Sequence, residues 1–140
     1  MKTYQQNTEQ QLFQILNSYH MKSKELEKSA GLTQERLQIL MLLVIQGPKT
    51  INQLAEGEKV SAPAITRTVK ALEKQGYVIK SRSKTDQRVV YVAPTRKSQQ
   101  IIESIRSKQK KLIAELVKGH SDEELRAIGL GAGLLVKRTL

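Results

Sequence analysis

Between Ser61 and Arg88 the sequence SAPAITRTVKALEKQGYVIKSRSKTDQR concentrates cationic and hydroxyl side chains at spacings suited to gripping a polyanion. Ile65, Val69 and Leu72 recur at helical spacing, which turns Pro63, Thr66, Arg67, Lys70 and Lys74 to the opposite face. Gly76 ends that helix. The β-prone run Tyr77, Val78, Ile79 then leads through the polar loop Ser83, Lys84, Thr85, Asp86 to a second run, Val89 to Val92, so the tip of the predicted hairpin is cationic. Charges placed in this way neutralise phosphates and release condensed counterions, and an arginine among them has the fork geometry that pairs with guanine O6 and N7. A basic helix followed directly by a basic hairpin is what a winged DNA-binding domain needs.

Other chemistries find little footing. His20 and His120 are far apart in sequence, neither lies in an H-E-x-x-H segment, and there is no P-loop. The absence of cysteine removes disulfides, cysteine-based zinc sites and thiol redox sensing together. Gly129-Leu130-Gly131-Ala132-Gly133 has the wrong spacing for a nucleotide loop and follows no strand, so close helix packing is the better account. Each of those glycines costs roughly 1 kcal/mol of helix propensity relative to alanine, which leaves open whether the terminal helix is broken there. The expectation is a protein that is no enzyme and carries no metal or cofactor.

The elements that would position the basic segment are mostly helical. Thr8-Glu9-Gln10-Gln11 has the form of a capping box, with Leu12, Ile15, Leu16, Tyr19 and Leu26 following at helical spacing as far as Ser29-Ala30-Gly31. A second helix is predicted from about Thr33 to Gln46, with Leu37, Leu40, Met41 and Val44 inward, stopped by Gly47-Pro48. Thr50-Ile51-Asn52-Gln53 is a second capping box, opening a short helix that ends near Gly57. That short helix, a tight turn and the basic helix make a helix-turn-helix. After the hairpin, Pro94-Thr95 starts a long helix carrying Ile101, Ile102, Ile105, Leu112, Ile113 and Leu116 to about Lys118, and Ser121-Asp122-Glu123-Glu124 caps a terminal helix through Leu125, Ile128, Leu134 and Leu135.

Charge follows this organisation. The chain has 140 residues and a formal charge of +11. Acidic and basic residues balance at 6 and 6 up to residue 58, whereas residues 59–88 hold 8 basic against 2 acidic, and residues 89–140 hold 10 against 5. The length fits one folding unit. No stretch approaches the apolar length of a spanning helix, and MKTYQQNTEQ lacks an apolar signal core, so a cytoplasmic protein without membrane partners is expected. Apolar stripes at both chain ends exceed what a small winged core covers, and a helical homodimer interface would cover them.

With Arg67, Leu72-Glu73-Lys74, Gly76, Val78, Arg82, Asp86 and Arg88 in register, the segment from Ser61 to Arg88 closely resembles the winged-helix core of the MarR family, the multiple antibiotic resistance regulators. The order of helices extends the resemblance along nearly the whole chain. Three departures are local: Ala93-Pro94-Thr95 stands where the family usually has Leu-Thr, Ser98 holds the usual glycine position, and Gln87 replaces a frequent arginine. The resemblance implies a mainly α fold with a small β wing: a winged helix-turn-helix core at 33–93 and a helical dimerisation region from both chain ends, 1–30 and 95–140. It further implies a homodimeric transcription regulator, usually a repressor, gripping a pseudo-palindromic operator in double-stranded DNA, with a lipophilic aromatic anion as inducer. An architectural or nucleoid DNA-binding protein without strong sequence preference is the competing reading, and a winged fold used for protein contacts a further one.

Individual roles follow. Arg67 is expected at a base edge or bridging phosphates, against the alternative of a solvated helix charge. Ser61, Ala62, Pro63, Ala64 and Thr66 lie near the helix start, where small side chains approach the DNA backbone or a thymine methyl; Ser61 also fits an N-cap. Lys70 and Lys74 lie farther along the helix and suit phosphate or solvent, and Arg82 and Lys84 on the wing suit phosphate. Arg88 resembles the family's wing-tip arginine, which enters the minor groove, with Asp86 as its orienting partner; a turn-shaping aspartate beside a solvated arginine is the alternative. For the inducer, Tyr19, His20 and Met41 are the candidate pocket residues, against ordinary interface and core packing.

Overall fold

The computed structural model describes residues 1–139; residue 140, the last of the expected dimerisation segment, lies outside the described residues. Helix α1 (Tyr4–Lys28) and α2 (Gln34–Gln46) precede a two-residue strand, β1 (Lys49–Thr50). Then come α3 (Ile51–Glu58), α4 (Ala62–Lys74), the hairpin of β2 (Val78–Arg82) and β3 (Val90–Pro94), and finally α5 (Arg96–Val117) and α6 (Asp122–Thr139).

Side-chain caps set most helix starts. The hydroxyls of Thr33, Thr50, Ser61 and Thr95 accept the amides of Arg36, Gln53, Ala64 and Ser98, satisfying donors that have no partner inside the helix. Helix α1 corrects its sequence reading. It starts one turn earlier than the expected box at Thr8, because Thr3 and Gln6 form a complete capping box there. Thr8 instead lies inside the helix with its hydroxyl donating to the Tyr4 carbonyl. Helix α6 runs unbroken through Gly129, Gly131 and Gly133, so the three glycines do not interrupt it.

The sheet order is β1-β3-β2, all antiparallel, with Lys80 opposite Val92 and Lys49 on the other side of Val92. Strand β1 was not expected, and it makes β3 the central strand of the wing. Beneath the sheet, Leu40, Leu43, Leu54, Val69, Leu72, Val92 and Ile102 are fully buried in one core. Burying each such side chain contributes about 1.5–3 kcal/mol, which holds α2, α3, α4 and the start of α5 around the sheet. On α2 the inward set is Leu37, Ile39, Leu40 and Leu43, while Met41 and Val44 are only partly buried. That correction arises because α2 is apolar on nearly every face, so spacing alone does not select the buried one.

Outside this core the helices are thinly covered. Helix α1 packs on α5, pinned by Gln109 Nε2 donating to the buried Ser23 hydroxyl at 2.8 Å. Helix α6 buries no side chain, and Leu125, Ile128, Leu130, Leu134, Leu135 and Val136 are all exposed.

Candidate nucleic-acid interface

The candidate surface is built from two walls. One is α4, whose Ile65, Val69 and Leu72 are buried while Pro63, Thr66, Arg67 and Lys70 face out. Pro63 occupies the first turn, where a missing N–H costs nothing. Thr66 donates its hydroxyl to the Ala62 carbonyl at 2.9 Å and remains exposed. Ser61 does act as the N-cap, with its Oγ 3.2 Å from the Ala64 amide. Ala62 and Ala64 are half-buried beside it.

The second wall is the wing. Its loop is organised from within: the Ser83 hydroxyl accepts the amides of Thr85 and Asp86, and Val89 donates to the Asp86 carbonyl at 3.0 Å. Arg82 braces the same loop, donating to the Gln87 carbonyl at 2.8 Å. Asp86 Oδ1 accepts both the Arg88 amide at 3.0 Å and its Nε at 3.2 Å, so one carboxylate shapes the turn and aims the guanidinium. The Arg88 side chain remains 92 % exposed. Lys84 is exposed at the loop tip.

The two walls meet at a hollow of about 360 Å³ lined by Thr50, Ile51, Asn52, Thr66, Arg88 and Val90, with no carboxylate among its lining residues. Asn52 was missed by the sequence reading. Its signal was the capping box at Thr50: the cap fixes the start of α3, and the second residue of that helix, exposed and polar, comes to the corner between helix and wing. Arg67 borders a different hollow of about 310 Å³, shared with Glu35 and Glu58, and forms no ion pair among the described residues. Lys70 is exposed, and Lys80 is engaged by Glu73 at 3.3 Å.

The three ligand candidates are not brought together within the chain. Tyr19 lines a small hollow between α1 and α5 with Arg106, Gln109, Lys110 and Ile113. Met41 lines another, beside Leu37, Leu42, Ile45 and the carboxylates of Glu27 and Glu58. His20 is exposed and lines neither. Tyr19 lies against residues of α5, whereas Met41 lies among residues of α2 with Glu27 of α1 and Glu58 of α3. Among the described residues there is no cluster of metal-ligating side chains. No helix among them is long and apolar enough to cross a membrane.

The family model described as transcriptional regulator SarA/Rot matches residues 21–105. The HTH-type transcriptional regulator YwoH of Bacillus subtilis is 32% identical over 106 residues, covering 76% of this chain and 77% of its own. Among solved structures, a MarR family protein from Bacillus stearothermophilus superposes with a TM-score of 0.73 at 21% identity, covering 99% of each chain. A mutant of Staphylococcus aureus MepR bound to an oligodeoxyribonucleotide gives 0.78 at 18% identity over 100% of both. The shared architecture is the MarR-type winged helix.

Proposed function

The chain belongs to the SarA/Rot family of transcriptional regulators, and we propose that it works as a ligand-responsive repressor, gripping a pseudo-palindromic operator as a homodimer. The observation that carries this reading is the hollow shared by Thr66 of α4 and Arg88 of the wing. It makes helix and hairpin two walls of one concavity whose charged lining residue is Arg88, with the helix directed at a major groove and the wing at the adjacent minor groove. Arg67 reads a base edge, Ser61, Ala62, Pro63, Ala64 and Thr66 approach the backbone or a thymine methyl, and Asn52, Lys70 and Lys84 meet phosphate. Arg82, committed to Gln87, supports the wing as well as the phosphate contact first assigned to it.

The exposed apolar residues of α6, with Phe13, Leu16 and Met21 of α1 and Ile113 and Leu116 of α5, support the homodimer. Segments 1–30 and 95–140 then form the dimerisation region and 33–93 the DNA-binding core. A two-fold dimer sets its recognition helices about one helical turn apart, roughly 34 Å. Arg106 and Lys110 beside Tyr19 support an aromatic anion as the inducer.

Selection of bound duplexes from a random DNA pool tests the reading. Two related half-sites in inverted orientation, spaced by one turn, are expected. A pool that stays random while binding falls steeply with salt would mean an architectural protein instead.

A further inference from the structure

We propose that Lys97 is a positioning residue for DNA recognition: its ammonium clasps the C-terminal end of recognition helix α4 to the first turn of α5, fixing the angle between them. This rests on the operator-binding reading above and adds a residue that never reaches the DNA.

The end of α4 has a definite set of free acceptors. Gly76, with φ at +81°, lets the chain turn back so that the Tyr77 amide bonds to the Leu72 carbonyl and the Gly76 amide to that of Glu73. The carbonyls of Gln75 and Gly76 remain at the negative end of the helix dipole. Both are taken by the start of α5. The Thr95 hydroxyl donates to the Gly76 carbonyl at 2.8 Å while accepting the Ser98 amide as the α5 cap. The Thr95 amide donates to the Tyr77 carbonyl at 3.1 Å. Lys97 Nζ donates to the Gln75 carbonyl at 2.7 Å, with the same ammonium 4.4 Å from the centroid of the Tyr77 ring. Its stem passes over Gly76, about 4.0 Å from where a Cβ would stand.

A lysine in the first turn of α5 opposes its own helix dipole, which favours acids there. Its ammonium, however, lies at the opposite pole of another helix. An unfavourable local choice is thus reversed by the long-range contact. Gln75 is held from a third direction as well, by Arg36 of α2 donating to its side-chain oxygen at 3.3 Å. The joint therefore connects α2, α4 and α5 at the point where rotation of α5 would swing the recognition helix. Since α5 belongs to the dimerisation region, Lys97 sets how the two recognition helices of a dimer are spaced.

The experiment compares Lys97→Met, which keeps the stem and loses the charge, with Lys97→Arg, which keeps both a donor and a cation over Tyr77. Each is titrated against the duplex selected from the random pool, against variants with one base pair added or removed between half-sites, and against random duplex. Lys97→Met should lose roughly two- to fivefold in affinity per protomer for the selected duplex. It should also flatten the preference among spacings, with random-duplex binding unchanged and Lys97→Arg close to the parent. Amide exchange at Gly76 and Tyr77 should accelerate in Lys97→Met alone. An unchanged spacing profile with unchanged exchange overturns the proposal, as does an equal loss on every duplex, which would make Lys97 a phosphate contact. A pool that never yields a preferred duplex overturns the operator reading and the positioning role with it, even where exchange still reports the clasp.

Discussion

Asp86 Oδ1 accepts two donors from Arg88, its amide at 3.0 Å and its guanidinium Nε at 3.2 Å. One carboxylate therefore closes an Asx-type turn and holds the side chain that the turn presents. The pair is exposed, so its value for stability is small. Its consequence lies in aim: the guanidinium is directed outward, which under the proposed minor-groove role would lower the ordering cost of inserting it. Arg88→Ala should weaken operator binding clearly at moderate salt while leaving the mass by sedimentation unchanged. Asp86→Ala should give a smaller loss, since the arginine is still present. Gel-shift titrations in which Arg88→Ala matches the parent would rule out the minor-groove role.

Substitutions of Arg67 and Lys74 would separate the proposed base contact from the proposed phosphate contact. Arg67 stands exposed in the second turn of α4 and is engaged by no carboxylate among the described ion pairs. Arg67→Ala is expected to cost about 1–3 kcal/mol on the operator and to relax preference at one base pair per half-site. Lys74→Ala should weaken all sequences alike and reduce the salt slope. Binding-site selection with the Arg67 variant distinguishes them: an unaltered sequence preference would reassign Arg67 to phosphate.

How far the sequence carried these elements depended on whether the signal was local. Thr33, Thr50, Ser61, Thr95 and Ser121 mark helix starts by chemistry contained within four residues, and α4 separates its apolar and cationic faces cleanly. Thr3 and Thr8 each precede a glutamine by three positions, so local chemistry alone did not choose between them. No breaker lies between Tyr4 and Thr8, and the helix takes the earlier cap. Strand β1 has two residues, too few for any periodicity. The clasp of Lys97 on Gln75 joins positions 22 apart and requires the fold to bring opposite helix poles together. For the same reason Asn52 entered the candidate site only once α3 and the wing shared a corner.

Helix α6 contributes no buried side chain, and the core from Leu37 to Ile105 is complete without it. Deleting residues 121–140 should therefore leave the winged core folded but abolish a stable dimer, giving monomers or aggregates with poor operator affinity. Deleting residues 1–26 should act similarly and also remove the buried Ser23 to Gln109 bond. Sedimentation combined with operator titration checks both. A truncated protein that remains a dimer and binds normally would move the interface elsewhere.

Glu124 accepts the Ser121 amide at 2.9 Å, and this backbone bond, followed by the Ser121 hydroxyl and then His120, holds its carboxyl below the ordinary glutamate value. A carboxyl depressed in the folded state stabilises above its unfolded value, and that contribution is lost as pH falls through the folded value. Acidification should thus uncap α6. In a carboxyl-resolved NMR titration, Glu124 should titrate below an ordinary glutamate and rise only part of the way towards it in Ser121→Ala, which loses the hydroxyl and keeps the amide. An identical midpoint in both proteins would rule out the hydroxyl's share and leave the Ser121 amide as the cause.

Tyr19 shares its hollow with Arg106, Lys110 and Ile113, an aromatic and an aliphatic wall beside two cations. This is the chemistry that receives an aromatic carboxylate: the ring stacks and the anion meets the charges. Occupancy shifts DNA affinity only if the ligand binds one spacing of the recognition helices better than another. The hollow lies on α5, the same helix whose first turn clasps α4, so a ligand wedged between α1 and α5 acts on the element that sets that spacing. An aromatic carboxylate such as salicylate should raise the thermal midpoint and lower operator affinity over one concentration range. Lys110→Ala should shift both curves together to higher ligand concentration while leaving ligand-free binding close to the parent. With no cysteine to oxidise, peroxide at modest doses should do neither. If a broad panel of such anions moves neither the midpoint nor the affinity, the inducible model fails, and the protein is a constitutive binder whose occupancy follows its abundance.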